Sequence, residues 1–361
     1  MNSRERLDAC LSFGEPDRLF YYSMRAPTAT IQRWEEEGLP RGVDLAEYFG
    51  LDAMLAPFWR IPLDLGPVPP HPRTILQETE QHLVYTNPVG AVVREYKDRR
   101  DFGSMQWLDF PVKERSSFAE LKARYQADEP SRYPPDWASR VQQWRGRDYP
   151  LVLVAHGPFA QLRDWMGVEG ACVAFHDQPR LVEEMVEFWT GFVLDAVAGA
   201  LRDVEVDWFL LGAEDMAYKT ASLLSPQTVR RFLAPSYRRI ADFLHSRGVR
   251  HVIIDSDGNV SELIPIWLDA GMTGTTPLEV AAGMDPVAVR RQCPSLAMIG
   301  GIDKRALMQG PRAIEAEVLS KMPVLGKSAG YIPALDHIIS PDIPLSGFRH
   351  YMETLKRVAA G

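Results

Sequence analysis

Short apolar runs recur along the chain and alternate with longer amphipathic segments. Such runs suit strands that are covered on both faces, and this favours a parallel sheet. From residue 151 onward each strand is followed by a helical pattern, as in repeated β–α units. The sequence therefore predicts an α/β protein folded as a single (β/α)8 TIM barrel, with a doubly wound open sheet as the alternative. The eight predicted strands are 18–23, 51–56, 151–155, 208–212, 251–254, 272–276, 297–300 and 330–333.

Capping residues followed by proline mark helix starts between these strands. Ser225 precedes Pro226, and a polar cap before a proline at the first helical position predicts a helix that runs to Arg247. The same reasoning and the helical period predict helices over 287–292, 314–322 and 348–359.

One long segment, about 57–150, interrupts the alternation of predicted strands and helices. Within it, 81–86 and 92–96 are strand-like and flank the turn residues 87–90, which predicts a β-hairpin. We therefore expect one domain over 1–361, with this hairpin as an insertion laid over the barrel.

Composition narrows the class of protein. The chain has 361 residues, of which 46% are hydrophobic, so it can bury a large core and is not a disordered chain. Its net charge of −8, without a long basic run, argues against nucleic acid as a partner. Three widely spaced cysteines argue against a disulfide framework. With no apolar run long enough to span a membrane and no signal-like start, we expect a cytoplasmic protein.

Ionisable side chains follow the predicted strands at their carboxyl ends. In a (β/α)8 barrel these ends meet at one mouth, where catalytic groups lie. Such a concentration of charge is what an active site requires, although ordinary ion pairs and loop positions are the alternative for the arginines, the tyrosine and the lysine. The candidates for catalysis are His337, Glu214 and Asp255, and those for binding a small-molecule substrate are Arg25, Arg60, His156, Tyr218 and Lys219.

Spacing suggests a metal site at this mouth. Asp255 and Asp257 lie two residues apart, so in an extended segment their side chains point the same way. Oxygen and imidazole ligands suit zinc, manganese or iron, which predicts Asp257, Glu279 and His337 as ligands of a divalent metal, most simply zinc. The residues leave open a polar pocket without metal, in which 257–259 forms only a tight turn.

Taken together, these motifs resemble the uroporphyrinogen decarboxylase superfamily, which also includes cobalamin-linked methyltransferases. The resemblance implies one (β/α)8 barrel over the whole chain. It also implies that Asp52 matches the family's central aspartate, a catalytic residue, and that His337 matches its late histidine. The segments that carry the resemblance are 4–18, 48–52, 212–219, 255–259, 300–305 and 330–341.

The departures from the family pattern bear on the reaction. The decarboxylases use no metal and hold carboxylates with a paired-arginine motif, which here is reduced to Arg25. The methyltransferases bind zinc through His-x-Cys and a later cysteine, which by position become Asp255, Asp257 and His337. The resemblance therefore implies a metal-dependent methyltransferase that moves a methyl group from a small methoxylated or methylated substrate to a corrinoid on a separate protein.

Two other functions stay open. One is a metal-free decarboxylase of uroporphyrinogen or another carboxylated aromatic. There Asp52 would stabilise the protonated ring, His337 would guide protons and Arg25 would bind a carboxylate. The other is a non-catalytic binding protein on a retained barrel. In each case a homodimer is expected, by resemblance and because two-fold assemblies are common.

Overall fold

The computed structural model describes residues 1–54, 60–97, 105–326 and 330–360. The strands in these ranges are β1 (Tyr22–Ser23), β2 (Ala53–Met54), β3 (Ile75–Glu78), β4 (His82–Thr86), β5 (Val92–Tyr96), β6 (Met105–Asp109), β7 (Val152–His156), β8 (Trp208–Gly212), β9 (His251–Asp255), β10 (Gly274–Thr276), β11 (Ala297–Ile302) and β12 (Tyr331–Leu335). The α-helices are α1 (Ser3–Leu11), α2 (Thr28–Glu36), α3 (Leu45–Phe49), α4 (Arg115–Lys122), α5 (Trp137–Trp144), α6 (Pro158–Asp177), α7 (Pro179–Asp203), α8 (Pro226–Phe232), α9 (Ala234–Ser246), α10 (Ile264–Asp269), α11 (Pro286–Gln292), α12 (Pro311–Leu325) and α13 (Leu345–Ala360).

Parallel strands form the centre of the fold. The strands β7 to β12 make one parallel sheet in chain order, and β1 pairs with β2 in parallel. Arg60, after β2, makes a parallel bridge to Val152 at the start of β7, and β1 lies against β12. The predicted α/β architecture is confirmed, and these contacts are consistent with a closed barrel. Residues 55–56 of the second predicted strand lie outside the described ranges.

The strands enclose an apolar interior because alternate side chains point to opposite faces of a sheet. Inward-facing residues of both parallel sheets share one buried cluster, which includes Tyr22, Leu210, Ile253, Ile299 and Ile332. Residues of α1 join the same cluster. His251, the first residue of β9, contacts Asp8 of α1 at 2.8 Å, so α1 covers the amino ends of the strands. The opposite, carboxyl ends therefore form the mouth.

The inserted segment is a four-stranded antiparallel sheet in the order β3-β4-β5-β6. The predicted hairpin is confirmed as β4 and β5, which face each other from His82 and Tyr96 to Thr86 and Val92. The two outer strands, β3 and β6, were not predicted from the sequence. All of their residues are exposed, so they lack the apolar alternation that marks a half-buried strand.

Most predicted helices are present, but one is divided. The helix expected from Pro226 to Arg247 is broken into α8 and α9 at Leu233. The cause is Pro235, whose ring nitrogen has no hydrogen to donate and whose ring crowds the preceding turn. In the described part of the chain, no helix combines the length and apolarity needed to cross a membrane.

Candidate active site at the barrel mouth

A row of residues crosses the mouth at the carboxyl ends of neighbouring strands. His156 of β7 lies beside Gly212 of β8, and Asp255 of β9 lies beside Thr276 of β10. The Asp255 carboxylate accepts a hydrogen bond from the backbone N–H of Ala213 at 3.1 Å. A Cβ atom on Gly212 would stand 3.9 Å from this carboxylate, so the glycine leaves the space beside it open.

Asp255 has the acid strength of a proton-transfer group. Burial raises its pKa to about 7, and the nearby charges of Asp215 and Asp257 act in the same direction, while His337 opposes them. A carboxyl group with this pKa exchanges its proton near neutral pH, which suits general acid–base catalysis.

His337 and Asp257 form a pair across the mouth. The His337 Nε2 atom, just after β12, lies 3.5 Å from Oδ2 of Asp257, in the loop after β9. The interaction with Asp257 raises the pKa of His337, although burial and the Lys304 charge oppose this. Asp257 is held in turn, because its backbone N–H donates to Asp215 at 3.0 Å. The two predicted residues are therefore brought together, with the protonated imidazole favoured.

The residues predicted as metal ligands do not fit a metal ion in this geometry. Among the described residues, no three His, Cys, Asp or Glu side chains converge closely enough to hold one. Glu279 lies at the mouth, but its Oε2 atom accepts a hydrogen bond from the backbone N–H of Gly258 at 2.9 Å. Of the three expected ligands, Asp257 and His337 therefore form an ion pair. The third, Glu279, holds the loop that contains Gly258.

Glu214, predicted as a proton donor or substrate anchor, has its carboxylate enclosed by protein groups. Its side chain is fully buried and accepts hydrogen bonds from the N–H groups of Phe159 and Ala160 at 3.0 and 2.8 Å. The Tyr237 hydroxyl donates to it at 2.5 Å. A Cβ atom on Gly157 would come within 2.0 Å of the carboxylate, so that glycine makes room for it. Glu214 therefore binds the start of α6 to β8.

Asp52, predicted as a catalytic residue, lies at the amino ends of the strands, opposite the mouth. It precedes β2 and contacts Arg6 of α1 and Arg18, each at 2.5 Å. The backbone N–H of Tyr21 also donates to it at 2.8 Å. Since α1 covers the amino ends of the strands, this carboxylate anchors the closed end and does not reach the mouth.

Three of the predicted binding residues have exposed side chains on loops. Tyr218 is 67% exposed, and its carbonyl accepts a hydrogen bond from Asn259, which places its loop beside the loop after β9. Lys219 lies next to it and is exposed. Arg25 is also exposed, and its carbonyl accepts a hydrogen bond from Ile339, in the loop after β12. These loops border the mouth, so the side chains are positioned at its rim.

His156 and Arg60 line a cavity of about 190 Å³ at the carboxyl end of β7. The His156 Nδ1 atom lies 3.1 Å from Oδ2 of Asp164, on α6. Val89, in the turn of the inserted hairpin, also lines this cavity. The predicted binding residues thus fall into two groups. Arg25, Tyr218 and Lys219 lie on exposed loops, and Arg60 and His156 line this cavity.

Two other polar residues at the mouth were not predicted as site residues from the sequence. Arg163 of α6 contacts Asp215 at 2.8 Å and donates to the Ala213 carbonyl at 3.0 Å, which stiffens the loop after β8. Lys304, two residues after β11, is close enough for its charge to lower the pKa values of His337 and Asp336. Lys304 could have been predicted from its position just after a strand, whereas the contacts of Arg163 could not be predicted without the tertiary fold.

Comparison with known proteins identifies the family. The family model described as uroporphyrinogen decarboxylase (URO-D) matches residues 108–358, which confirms the resemblance drawn from the motifs. No curated protein matches the chain.

Solved structures support the fold. A methyltransferase from Methanosarcina mazei aligns with a TM-score of 0.65 at 17% identity, over 99% of each chain. At this identity the likeness shows the fold alone. A structure named for a vitamin-B12-independent methionine synthase from Listeria monocytogenes covers 61% of this chain and 68% of its own, at 11% identity and a TM-score of 0.35. That value is too low to carry an argument.

Proposed function

Because the chain belongs to the uroporphyrinogen decarboxylase family, we propose that it is a decarboxylase of a carboxylated, electron-rich aromatic substrate. The observation that carries this proposal is the buried carboxyl of Asp255 at the mouth, with a pKa of about 7. A metal is not required, since ring protonation can supply the electron sink for loss of CO2.

Asp255 is the acid in this proposal. Its proton goes to the ring carbon that bears the carboxylate, and the ring becomes cationic. The bond to the carboxylate then breaks, CO2 leaves, and the bonding electrons return to the ring. The product carries hydrogen where the carboxylate was, and solvent returns a proton to Asp255.

His337 and Lys304 are the groups that would hold the reacting carboxylate. The interaction with Asp257 favours the charged imidazole, and Lys304 has no carboxylate within ion-pair distance among the described residues. Two cations beside a carboxylate stabilise it through charge-assisted hydrogen bonds until it leaves as neutral CO2.

The test is CO2 release from a panel of carboxylated pyrroles, indoles and phenols, with and without Asp255→Asn. We expect turnover by the wild type, one deuterium at the vacated carbon in deuterated water, and a loss of about 100-fold or more in the variant. Asp242→Asn, an exposed carboxylate on α9, is the matched control and should keep full activity. No CO2 from any member of the panel, or an undiminished rate in Asp255→Asn, would overturn the proposal.

Methyl transfer is the second candidate, favoured by the same protonated carboxyl. When a methyl group leaves a methoxylated substrate, the oxygen left behind needs a proton, which the carboxyl group of Asp255, with a pKa of about 7, would supply. The methyl group would pass to the corrinoid carrier on a separate protein that the sequence predicts. Formation of a demethylated product without CO2 supports this candidate, and elemental analysis of untagged protein tests the predicted zinc.

A further inference from the structure

The segment that follows β8 contains one residue in an unusual backbone conformation. Ala213 has a φ of +56°, in the left-handed region that residues with a side chain seldom adopt. There the Cβ atom lies too close to the following carbonyl oxygen, so the conformation persists only where neighbouring contacts hold it. Ala213 is also the residue whose N–H donates to Oδ2 of Asp255 at 3.1 Å. The strained residue therefore belongs to the immediate surroundings of the proposed acid.

The peptide group after Ala213 is fixed at both of its polar atoms. Its N–H, which belongs to Glu214, donates to the backbone carbonyl of Asp255 at 2.8 Å. Its carbonyl accepts a hydrogen bond from Nη2 of Arg163 at 3.0 Å. A change of φ would rotate the N–H of Ala213 relative to this carbonyl. Because Arg163 holds the carbonyl in place, it also keeps the N–H on the Asp255 carboxylate.

The same guanidinium fixes the loop after β9. Nη1 of Arg163 donates to Oδ2 of Asp215 at 2.8 Å, and the other oxygen of that carboxylate accepts from the backbone N–H of Asp257 at 3.0 Å. Asp257 in turn is the partner of His337. One cation thereby reaches the acid through a peptide group and the imidazole through a carboxylate.

The shape of the guanidinium suits this double contact. Arg163 lies on α6, and its side chain is only 21% exposed. A guanidinium presents its terminal nitrogens in a rigid, planar fork, which can bridge two acceptors in a fixed relation to each other. Lysine carries the same charge on a single nitrogen and has no such fork. The positive charge alone would therefore not replace the arginine.

From these contacts we propose that Arg163 is a positioning residue for the acid, because it holds Ala213 in the conformation that donates to Asp255. This inference rests on the proposed role of Asp255 and applies to decarboxylation and to methyl transfer alike. Since Oδ2 accepts the N–H of Ala213, the acidic proton is carried by Oδ1 and leaves from a fixed atom. Such preorganisation acts on the chemical step rather than on substrate binding.

The contact is tested first without turnover. In the full chain labelled with ¹⁵N-alanine, the amide signal of Ala213 is the one that is lost in Ala213→Gly. We expect Arg163→Gln to shift this signal and to speed its exchange in deuterated water about tenfold or more, because the hydrogen bond to Asp255 opens more often. Arg180→Gln, at an exposed position on α7, is the matched control and should leave the signal unchanged. An Ala213 signal that is unaltered in Arg163→Gln overturns the proposal.

Kinetics separate positioning from a general loss of stability. With a substrate that the enzyme turns over, Arg163→Gln should lower kcat about tenfold and change KM little. Adding Ala213→Gly to this variant should restore much of kcat, because glycine adopts a positive φ without strain. Loss of a merely stabilising ion pair would not be rescued by the glycine. An unrescued kcat, or a raised KM with unchanged kcat, overturns the proposal.

A conservative variant keeps the test open if Arg163→Gln does not fold. Arg163→Lys retains a cation beside Asp215 but loses the fork, so it should fold and still lower kcat severalfold with little change in KM. A wild-type kcat in Arg163→Lys would show that charge alone is enough and would overturn the proposal.

The positioning role and the proposed reaction fail in different measurements. If no substrate is turned over but the Ala213 signal depends on Arg163, the reaction is wrong and the contact stands. If Asp255→Asn abolishes turnover while Arg163→Gln keeps the wild-type kcat, the acid stands and the positioning role is wrong.

Discussion

Nε2 of His337 lies 3.5 Å from Oδ2 of Asp257, which joins the end of β12 to the loop after β9. The two residues are far apart in the chain, and the parallel strands bring them to one mouth. This contact raises the pKa of His337, and the same mouth contains Asp255, whose pKa burial raises to about 7.

Asp257→Asn should lower the pKa of His337. The interaction with Asp257 is the largest cause of the raised value, and asparagine keeps the size of the side chain without its charge. NMR titration of the His337 ring against pH measures the change. Asp242→Asn, on the surface of α9, should leave the titration unchanged. An unaltered His337 titration in Asp257→Asn would show that the pair does not set the charge of the imidazole.

Asp255→Asn should stabilise the protein at high pH. The folded-state pKa of Asp255, about 7, lies above its ordinary value of 3.8, so its contribution to stability is present below about pH 4 and is lost as pH rises through 7. At pH 8 the buried charge costs up to about 4 kcal/mol, because one pKa unit corresponds to about 1.4 kcal/mol. Urea unfolding at pH 5 and pH 8 should show a larger gain for the variant at pH 8. The same gain at both values contradicts the raised pKa.

Acidification should destabilise the protein through His251. Burial lowers the pKa of this residue, although its hydrogen bond to Asp8 opposes the shift. The unfolded chain therefore takes up a proton more readily, and stability falls as pH drops below about 6.5. His251→Gln, which can still donate to Asp8, should flatten this dependence between pH 7 and pH 5 in urea unfolding. A dependence as steep as that of the wild type would assign it to other groups.

Asp52→Asn should reduce stability and spare catalysis. The change leaves the buried Arg6 guanidinium, 7% exposed, without one of its two carboxylate partners, and the loss of a buried partner costs about 3–5 kcal/mol. Chemical denaturation measures this loss, while kcat of the folded fraction should be unchanged. A kcat that falls with normal stability would instead return Asp52 to the active site.

The amino-acid sequence was sufficient to predict the parallel strands, the hairpin and several polar residues of the mouth. Apolar runs covered on both faces leave a strong signal, and each of the parallel strands lies within or beside such a run. Asp255, Asp257 and His337 lie at the ends of these runs or directly after them. They were expected at one mouth because the carboxyl ends of parallel strands meet at one edge. The strand-like runs of β4 and β5 on either side of the turn residues 87–90 likewise identified the hairpin.

Only the tertiary structure decided which polar groups meet and at which end. Asp52 was predicted as the second residue of a strand over 51–56, and the observed strand begins at Ala53, so Asp52 lies at the amino end, where it meets the arginines of α1 and of the segment before β1. The burial of Glu214 depends on the start of α6, and the cavity at Arg60 depends on the inserted hairpin. Local patterns record burial along one element, whereas hydrogen-bond partners and cavities arise from packing between elements far apart in the chain.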